Sequence, residues 1–243
     1  AVAWGSLSFL RGKKFQRIWF ADFEFGQSSE LTPEVRCLVA REYYSGQLVR
    51  LLLDGVAEPV CPIPLGENSL YVAYYASAEM NCHLVLDWSL PNYLLDLFCE
   101  FRCQNNGLSL PVKNNLLGAL SLHGLEHISL VEKEEMRELA MRGGPYSSTE
   151  QAALLNYCQT DVDALVALLP EMAPKISIDH ALIRGRYMKA VARMESVGIP
   201  VDLPLLDRLQ ANWESIQDEL ISVVDQDFGV YEGRTFKTDL FAQ

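Results

Sequence analysis

The sequence lacks the usual marks of membrane insertion, export and zinc binding. No apolar run reaches the ~18 residues of a membrane-spanning helix, so we expect no membrane partner. No basic and then apolar leader opens the chain, which favours a cytoplasmic protein. The six cysteines include no Cys-x-x-Cys pair and the four histidines show no ligand spacing, so we expect reduced thiols rather than a Cys/His zinc site.

The chain also has few basic residues. It carries 20 Lys and Arg against 32 Asp and Glu in 243 residues, a formal net charge of −12. This balance argues against a basic surface that coats nucleic acid, but it leaves room for nucleic acid at an acidic site loaded with metal cations. The apolar fraction of 49% excludes a disordered chain. Because the sequence starts at Ala1 without Met and stops at Gln243 inside an apolar–polar pattern, we expect a piece of a longer protein.

Strand-like segments fill the first half of the chain and helical segments the second half. β-rich apolar runs bounded by Gly and Pro predict strands at 17–25, 35–44, 47–53, 69–75 and 93–97. Apolar residues at helical spacing predict helices at 76–86, 98–104, 114–123, 132–141, 148–169, 179–197 and 204–228. This order predicts an α/β fold in residues 1–177, with a sheet flanked by helices, followed by a helical extension in residues 178–243.

Two carboxylates end the first predicted strand. Asp22 and Glu24 lie two residues apart, so both side chains point to one face, with their Cα atoms ~7 Å apart. Like charges at the end of an apolar run are costly unless a cation or hydrogen-bond donors compensate them. A metal site is one interpretation, although a single Asp-x-Glu also arises by chance in a chain of this composition.

A second candidate pair lies on a later predicted helix. Tyr157 and Asp161 are four residues apart, a spacing that stacks them on one helix face. The alternative is a Tyr at the edge of the core and a solvated Asp, and the nearby Asp163 is interpreted as such a surface charge. Ser148 and Gln151 match a capping box and predict the start of this helix.

The middle of the chain is acidic. Residues 51–110 contain one base, Arg102, and seven acids: Asp54, Glu58, Glu67, Glu79, Asp87, Asp96 and Glu100. This excess fits either a cation site or a solvated acidic face.

The order of these elements resembles the DEDD exonuclease superfamily in its Tyr-bearing branch. Asp22 and Glu24 match the first motif of that family, and Tyr157 with Asp161 matches the third. The resemblance implies an RNase H-like fold, a mixed sheet flanked by helices in which carboxylates hold two divalent cations.

The second motif departs from the family pattern. The usual form is Asn-x-x-x-Asp or Phe-Asp, early in the helix after the fourth strand, and here Glu79 stands at the position of the Asp. Glu79 ranks first because both flanking landmarks keep the family spacing around it. Asp96 and Asp87 are the competing candidates.

The end of the chain sharpens the resemblance. Residues 192–202 read Ala-Arg-Met-Glu-Ser-Val-Gly-Ile-Pro-Val-Asp and resemble the segment that opens the polymerase region of family A DNA polymerases. The predicted helix 204–228 resembles the start of their thumb, and residues 236–241 its continuation. The resemblance implies the proofreading part of a DNA polymerase I-like enzyme, with a phage-type parent as one option, in a bacterial or phage-infected cell. The rest of the polymerase, palm and fingers, is then the expected protein partner.

The resemblance also implies roles for the motif residues. Asp22, Glu24, Glu79 and Asp161 would hold two Mg²⁺ or Mn²⁺ ions, and the site would hydrolyse single-stranded DNA from its 3′ end, releasing 5′-nucleoside monophosphates. Tyr157 would orient the attacking water, because a phenol with a pKa of about 10 is a poor base at neutral pH.

Three aromatic residues beside the motifs are candidates for DNA binding, since unpaired bases stack on aromatic side chains. They are Phe23, Phe25 and Tyr75. The competing and commoner role for each is an ordinary place in the core.

Two other functions stay open. The Glu at the second motif permits an exonuclease-like domain with weak or no catalysis, which scaffolds the polymerase and binds DNA. The four retained carboxylates argue against this, because a decayed site has no need for costly charges. A stand-alone ribonuclease of the same superfamily is the third option, and the helices after residue 178 disfavour it.

Overall fold

A five-stranded mixed sheet forms the centre of the protein, in a computed structural model that describes residues 15–27, 32–57, 59–126 and 130–242. Its strands are β1 (Arg17–Gln27), β2 (Pro33–Glu42), β3 (Leu48–Leu52), β4 (Ser69–Ala73) and β5 (Tyr93–Asp96). The spatial order is β3-β2-β1-β4-β5. The pairs β1–β2 and β2–β3 are antiparallel, whereas β1–β4 and β4–β5 are parallel.

Strand β1 is central because both of its faces are apolar. Ile18 and Phe20 point into one hydrophobic cluster, and Trp19 and Ala21 point into the other. A strand buried on both faces has a nearly continuous apolar sequence, as β1 has up to Asp22.

Helices cover both faces of the sheet. They are α1 (Ala76–Val85), α2 (Leu97–Gln104), α3 (Leu116–Leu122), α4 (Leu130–Arg142), α5 (Ser148–Met172) and α6 (Ile178–Val197). Helix α5 packs across β1, β2 and β3 on one face. Helix α1, together with Met188 and Ala192 of α6, packs on the opposite face. A 3₁₀ turn at Ala173–Lys175 separates α5 from α6.

Helix α6 belongs to the sheet domain. It packs on α1 and β5, and Gly185 permits the close approach, since a Cβ at that position would lie 1.9 Å from the carbonyl oxygen of Leu94. The two compact units therefore divide between Val197 and Gly198. That boundary lies twenty residues after the expected one at 177/178. The sequence pattern alone did not reveal that α6 packs on α1 and β5.

The second unit, residues 198–243, is mostly helical. It contains α7 (Leu203–Ala211), α8 (Trp213–Phe228), a hairpin of β6 (Tyr231–Glu232) and β7 (Thr235–Phe236), and α9 (Thr238–Phe241). The expected single helix 204–228 is interrupted at Asn212, which corrects that prediction. The Asn212 side-chain amide donates to the carbonyl oxygen of Arg208 at 2.8 Å and so competes with the helical backbone.

The predicted α/β class, with strands first and a mixed sheet flanked by helices, is confirmed. Several helix ends differ by one to three residues from the predicted ones, and α5 continues through Pro170 to Met172 rather than ending before the proline. Within the described ranges, no helix combines the length and the apolar composition that crossing a bilayer requires.

Candidate functional site

The first two acids lie where β1 leaves the middle of the sheet. Asp22 and Glu24 share the face of β1 that packs under α5, as their period-two spacing predicts. The register between β1 and β2 shifts between Glu24 and Phe25. Such irregularities redirect side chains, and here the ladder resumes after the shift and continues to Gln27.

Helix α5 brings the third motif over this pair. Tyr157 and Asp161 are each 8% exposed, one helical turn apart on the face turned to β1. Between them, the Cys158 thiol donates to the main-chain oxygen of Asp22 at 3.1 Å and contacts its Oδ2 at 3.4 Å. Candidate ligand atoms of Asp22, Glu24 and Cys158 all lie within 4.8 Å of one another.

The capping box at the start of α5 lies one residue earlier than predicted. Ser147 and Glu150 form the capping box, with each side chain accepting from the backbone N–H of the other. The predicted box of Ser148 and Gln151 is therefore wrong by one position. The correction matters little for the site, because the face that carries Tyr157 is unchanged.

Glu79 reaches the acid pair from the other side of the sheet edge. It lies in the first turn of α1, is 4% exposed and accepts a hydrogen bond from the backbone N–H of Phe23. Its Oε2 is buried and has no hydrogen-bond partner. An unpartnered carboxylate oxygen in such a position is costly and points to a cation or donor that completes it.

The two competing candidates for the second motif are placed differently. Asp96, 1% exposed at the end of β5, accepts backbone N–H bonds from Tyr75, Ala76 and Phe98. Its oxygens are thus already occupied by the backbone. Asp87 lies on the turn after α1 with φ 54 and is not among the residues that line the cleft.

One open cleft of about 560 Å³ collects the candidate residues. Its walls include Asp22, Glu24, Glu79, Tyr157 and Asp161. These side chains come from β1, α1 and α5, three elements separated by long stretches of sequence. The cleft is thus built by the fold rather than by any local motif.

Crowded acids in this cleft hold protons unusually tightly. Burial, and then the charge of Asp161, raise the pKa of Asp22 from 3.8 to about 8. Burial and the charge of Asp22 raise the pKa values of Glu24 and Glu79 well above the usual 4.5. The charge of Lys133 lowers the pKa values of Asp22 and Glu24 but does not offset these effects, and divalent cations would supply further positive charge.

A lysine from α4 is a cation of the cleft that sequence reasoning missed. The Nζ of Lys133 donates to Asp161 Oδ2 at 3.0 Å and lies 5.8 Å from the ring centre of Tyr157. In the sequence Lys133 lies among Glu residues of an exposed helix, so nothing distinguishes it from an ordinary surface charge. Its ammonium group occupies the kind of position that a metal cation takes beside a carboxylate.

The three stacking candidates have different environments. Phe23 is 3% exposed and packs against His83 and Trp88, so its ring belongs to the core. Phe25 is partly buried and lines the cleft. Tyr75 also lines the cleft, with 49% of its surface exposed.

The donor set fits hard divalent cations. Carboxylate oxygens are the ligands that Mg²⁺ and Mn²⁺ prefer, and the unpartnered Oε2 of Glu79 offers one. The Cys158 thiol is softer, but its contacts with Asp22 make it a hydrogen-bond donor here. The residues present thus suit Mg²⁺ or Mn²⁺.

Comparisons with known proteins bear on the fold. No protein-family model matches the chain, and no curated protein sequence matches it. A solved structure described as "apo form of the nuclease" superposes with a TM-score of 0.54 over 80% of this chain and 90% of that one, at 11% sequence identity. At this identity the likeness shows the fold alone, and with the observed sheet order it agrees with an RNase H-like α/β fold.

Proposed function

We propose that the protein is a metal-dependent 3′–5′ exonuclease that trims single-stranded DNA and releases 5′-nucleoside monophosphates. The observation that carries the proposal is the meeting of Asp22, Glu24, Glu79 and Asp161 in one cleft with Tyr157 beside them. A nuclease-like fold and the unpartnered oxygen of Glu79 support the same conclusion.

The four carboxylates would hold two ions, Mg²⁺ or Mn²⁺. These carboxylates are those of Asp22 and Glu24 on β1, Glu79 on α1 and Asp161 on α5, which line the same cleft. When bound, such ions supply positive charge beside the attacking and leaving oxygens of a phosphodiester. The Lys133 side chain would have to shift when Asp161 binds a metal ion, because the Lys133 ammonium group already donates to one of the two Asp161 oxygens.

Tyr157 would orient water rather than remove its proton. Burial, and then the charge of Asp161, raise the pKa of the Tyr157 phenol far above its usual value of 10. The hydroxyl therefore keeps its proton at neutral pH and acts through hydrogen bonds. The position of Tyr157 on the same cleft wall as Glu24 supports this role.

A single strand suits the cleft better than a duplex. The site lies in an open cleft of about 560 Å³, and the chain carries a net charge of −12 with no general excess of basic residues. Frayed bases can enter such a cleft and stack on its aromatic walls. Phe25 and Tyr75 supply those walls, whereas Phe23 is in the core.

We further propose that the parent protein is a family A DNA polymerase, in which this domain proofreads. The support is the sequence of residues 192–202 and the helical unit that follows it. The remaining palm and fingers of that polymerase would be the partner of this chain.

Incubation of the protein with a 5′-labelled single-stranded DNA oligomer tests the activity. With Mg²⁺ or Mn²⁺ we expect stepwise shortening from the 3′ end, and background levels for Asp22→Ala and Asp161→Ala. Asp163→Ala is the matched control, since Asp163 shares α5 but lies on the surface and pairs with Arg41. No metal-dependent shortening by the wild-type protein would overturn the proposal, and faster cleavage of a matched RNA oligomer would favour a ribonuclease.

A catalytically weak or inactive exonuclease-like domain is the second candidate. The ion pair of Lys133 with Asp161 favours it, because an ammonium group already neutralises one of the acids. Calorimetric titration with Mn²⁺ separates the two functions. Two bound ions per chain are expected for the enzyme and none for the scaffold.

A further inference from the structure

Tyr75 has a backbone conformation that tyrosine rarely adopts. It is the N-cap residue of α1, with φ 67 and ψ 54, in the left-handed region. Residues with this backbone conformation are mostly Gly, Asn or Asp, so a Tyr there requires support from its surroundings. Strained residues of this kind concentrate at functional sites, and Tyr75 lines the cleft beside Glu79.

The support comes from one buried carboxylate. Asp96 Oδ1 accepts the backbone N–H of Tyr75 at 3.0 Å, and Oδ2 accepts the backbone N–H of Ala76 at 3.1 Å. Oδ1 also accepts the N–H of Phe98 at 2.9 Å, which caps the start of α2. Asp96 thus ties the starts of two helices together and fixes the backbone at Tyr75.

The Tyr75 ring is held from one side and open on the other. It meets Phe98 edge to face, with ring centres 4.9 Å apart and planes at 73°. Phe98 is itself fixed, since its backbone N–H donates to Asp96 and the Arg102 guanidinium lies 5.6 Å from its ring centre. With 49% of Tyr75 exposed, an aromatic surface faces the cleft.

We propose that Tyr75 is the stacking platform for the base of the 3′-terminal nucleotide, and that Asp96 is its positioning residue. This inference rests on the proposed exonuclease function and names the base-binding part of the same site. The ligand is an unpaired nucleobase of any identity, because every base offers a flat π face. Asp96 acts through Tyr75 and contacts neither the base nor the reacting atoms.

Binding of DNA without cleavage tests the platform. Anisotropy of a 5′-labelled oligomer is measured in EDTA, once with an ordinary 3′ end and once with an abasic 3′-terminal residue. Repulsion from the acidic cleft weakens the binding of both oligomers by the same factor, so this factor cancels in the ratio of their Kd values. For the wild-type protein we expect the abasic end to bind roughly 10-fold more weakly, as the loss of one stacked base implies.

Two substitutions at the platform separate the ring from the backbone. Tyr75→Phe keeps the ring and should keep the ratio. Tyr75→Asn removes the ring while tolerating the left-handed backbone, and should bring the ratio close to one. A ratio near one in the wild-type protein, or an unchanged ratio in Tyr75→Asn, would overturn the platform.

A double-mutant cycle tests the role of Asp96. Asp96→Asn loses one of the two acceptor oxygens, so we expect a reduced ratio with Tyr75 present and no additional effect in Tyr75→Asn. Additive effects of the two substitutions would overturn the positioning role. Failure of the exonuclease proposal is distinct: it appears as intact DNA in Mg²⁺ or Mn²⁺, whatever the binding ratio in EDTA.

Discussion

His83 should make the protein less stable in mild acid. It lies on α1, is fully buried, and has Phe23, Tyr71 and Trp88 packed around its ring at 5.5–5.6 Å between centres. Its Nδ1 lies 3.1 Å from the carbonyl oxygen of Ser89, whereas Nε2 has no partner. Burial lowers its pKa from 6.5 to about 4, so the folded protein keeps the ring neutral.

The size of the effect follows from the two pKa values. Below pH 6.5 the unfolded chain binds a proton at His83 that the folded protein does not bind until about pH 4. The contribution to stability is therefore complete above pH 6.5 and is lost as the pH falls towards 4. At about 1.4 kcal/mol per pH unit, the loss is about 2 kcal/mol at about pH 5 and about 3 kcal/mol at about pH 4.

Isolating this effect requires a variant, because the cleft acids titrate in the opposite sense. Asp22, Glu24 and Glu79 have raised pKa values in the folded state, so their protonation on acidification favours folding. His83→Asn removes the titrating ring and keeps an amide that can donate to the Ser89 carbonyl.

Urea unfolding followed by tryptophan fluorescence gives the comparison. We expect the wild-type protein to lose about 2 kcal/mol of its stability advantage over His83→Asn between about pH 7.5 and about pH 5. A difference in unfolding free energy that stays constant to within about 0.5 kcal/mol would show that the buried ring does not control acid stability.

Three other changes test separate parts of the structure. Gly185→Ala should lower the urea midpoint by an equivalent of about 3 kcal/mol, because its Cβ would meet the Leu94 carbonyl. Arg184→Ala should cost about 2 kcal/mol in the same assay by leaving Glu100 buried without its partner, and removing both charges with Arg184→Met and Glu100→Leu should restore stability. Mn²⁺ at about 100 times its Kd should stabilise the wild-type protein by about 2.7 kcal/mol in thermal unfolding. The same addition should not shift Asp22→Asn.

Elements with a clear period were predictable from the sequence. The apolar run before Asp22 predicted the central strand, and the spacing of Tyr157 and Asp161 predicted their common helix face. Both depend on local geometry alone. The break at Asn212 was not predictable, because the apolar stripe continues through it while the side chain competes for a backbone carbonyl.

Features that depend on long-range contacts were hidden in the sequence. Asp96 looks like a possible ligand until the fold shows its oxygens bound to the backbone of Tyr75 and Phe98. Lys133 enters the cleft only because α4 packs on β1 and α5. Nothing in the sequence marks Gly185 as a packing position, because the requirement for glycine comes from the carbonyl group of Leu94 on β5. In each case the information lies in which elements meet, which a single sequence does not record.

The central position of β1 divides the cleft into a rigid and an adaptable half. Asp22 and Glu24 sit on a strand that pairs with β2 at both residues, whereas its pairing with β4 ends at Phe20. We expect this strand pairing to slow the exchange of their backbone amides relative to those of α4. Lys133, by contrast, is carried by a peripheral helix with one face in water. We therefore expect the acid pair to keep its geometry when a ligand enters the cleft, while Lys133 moves with α4.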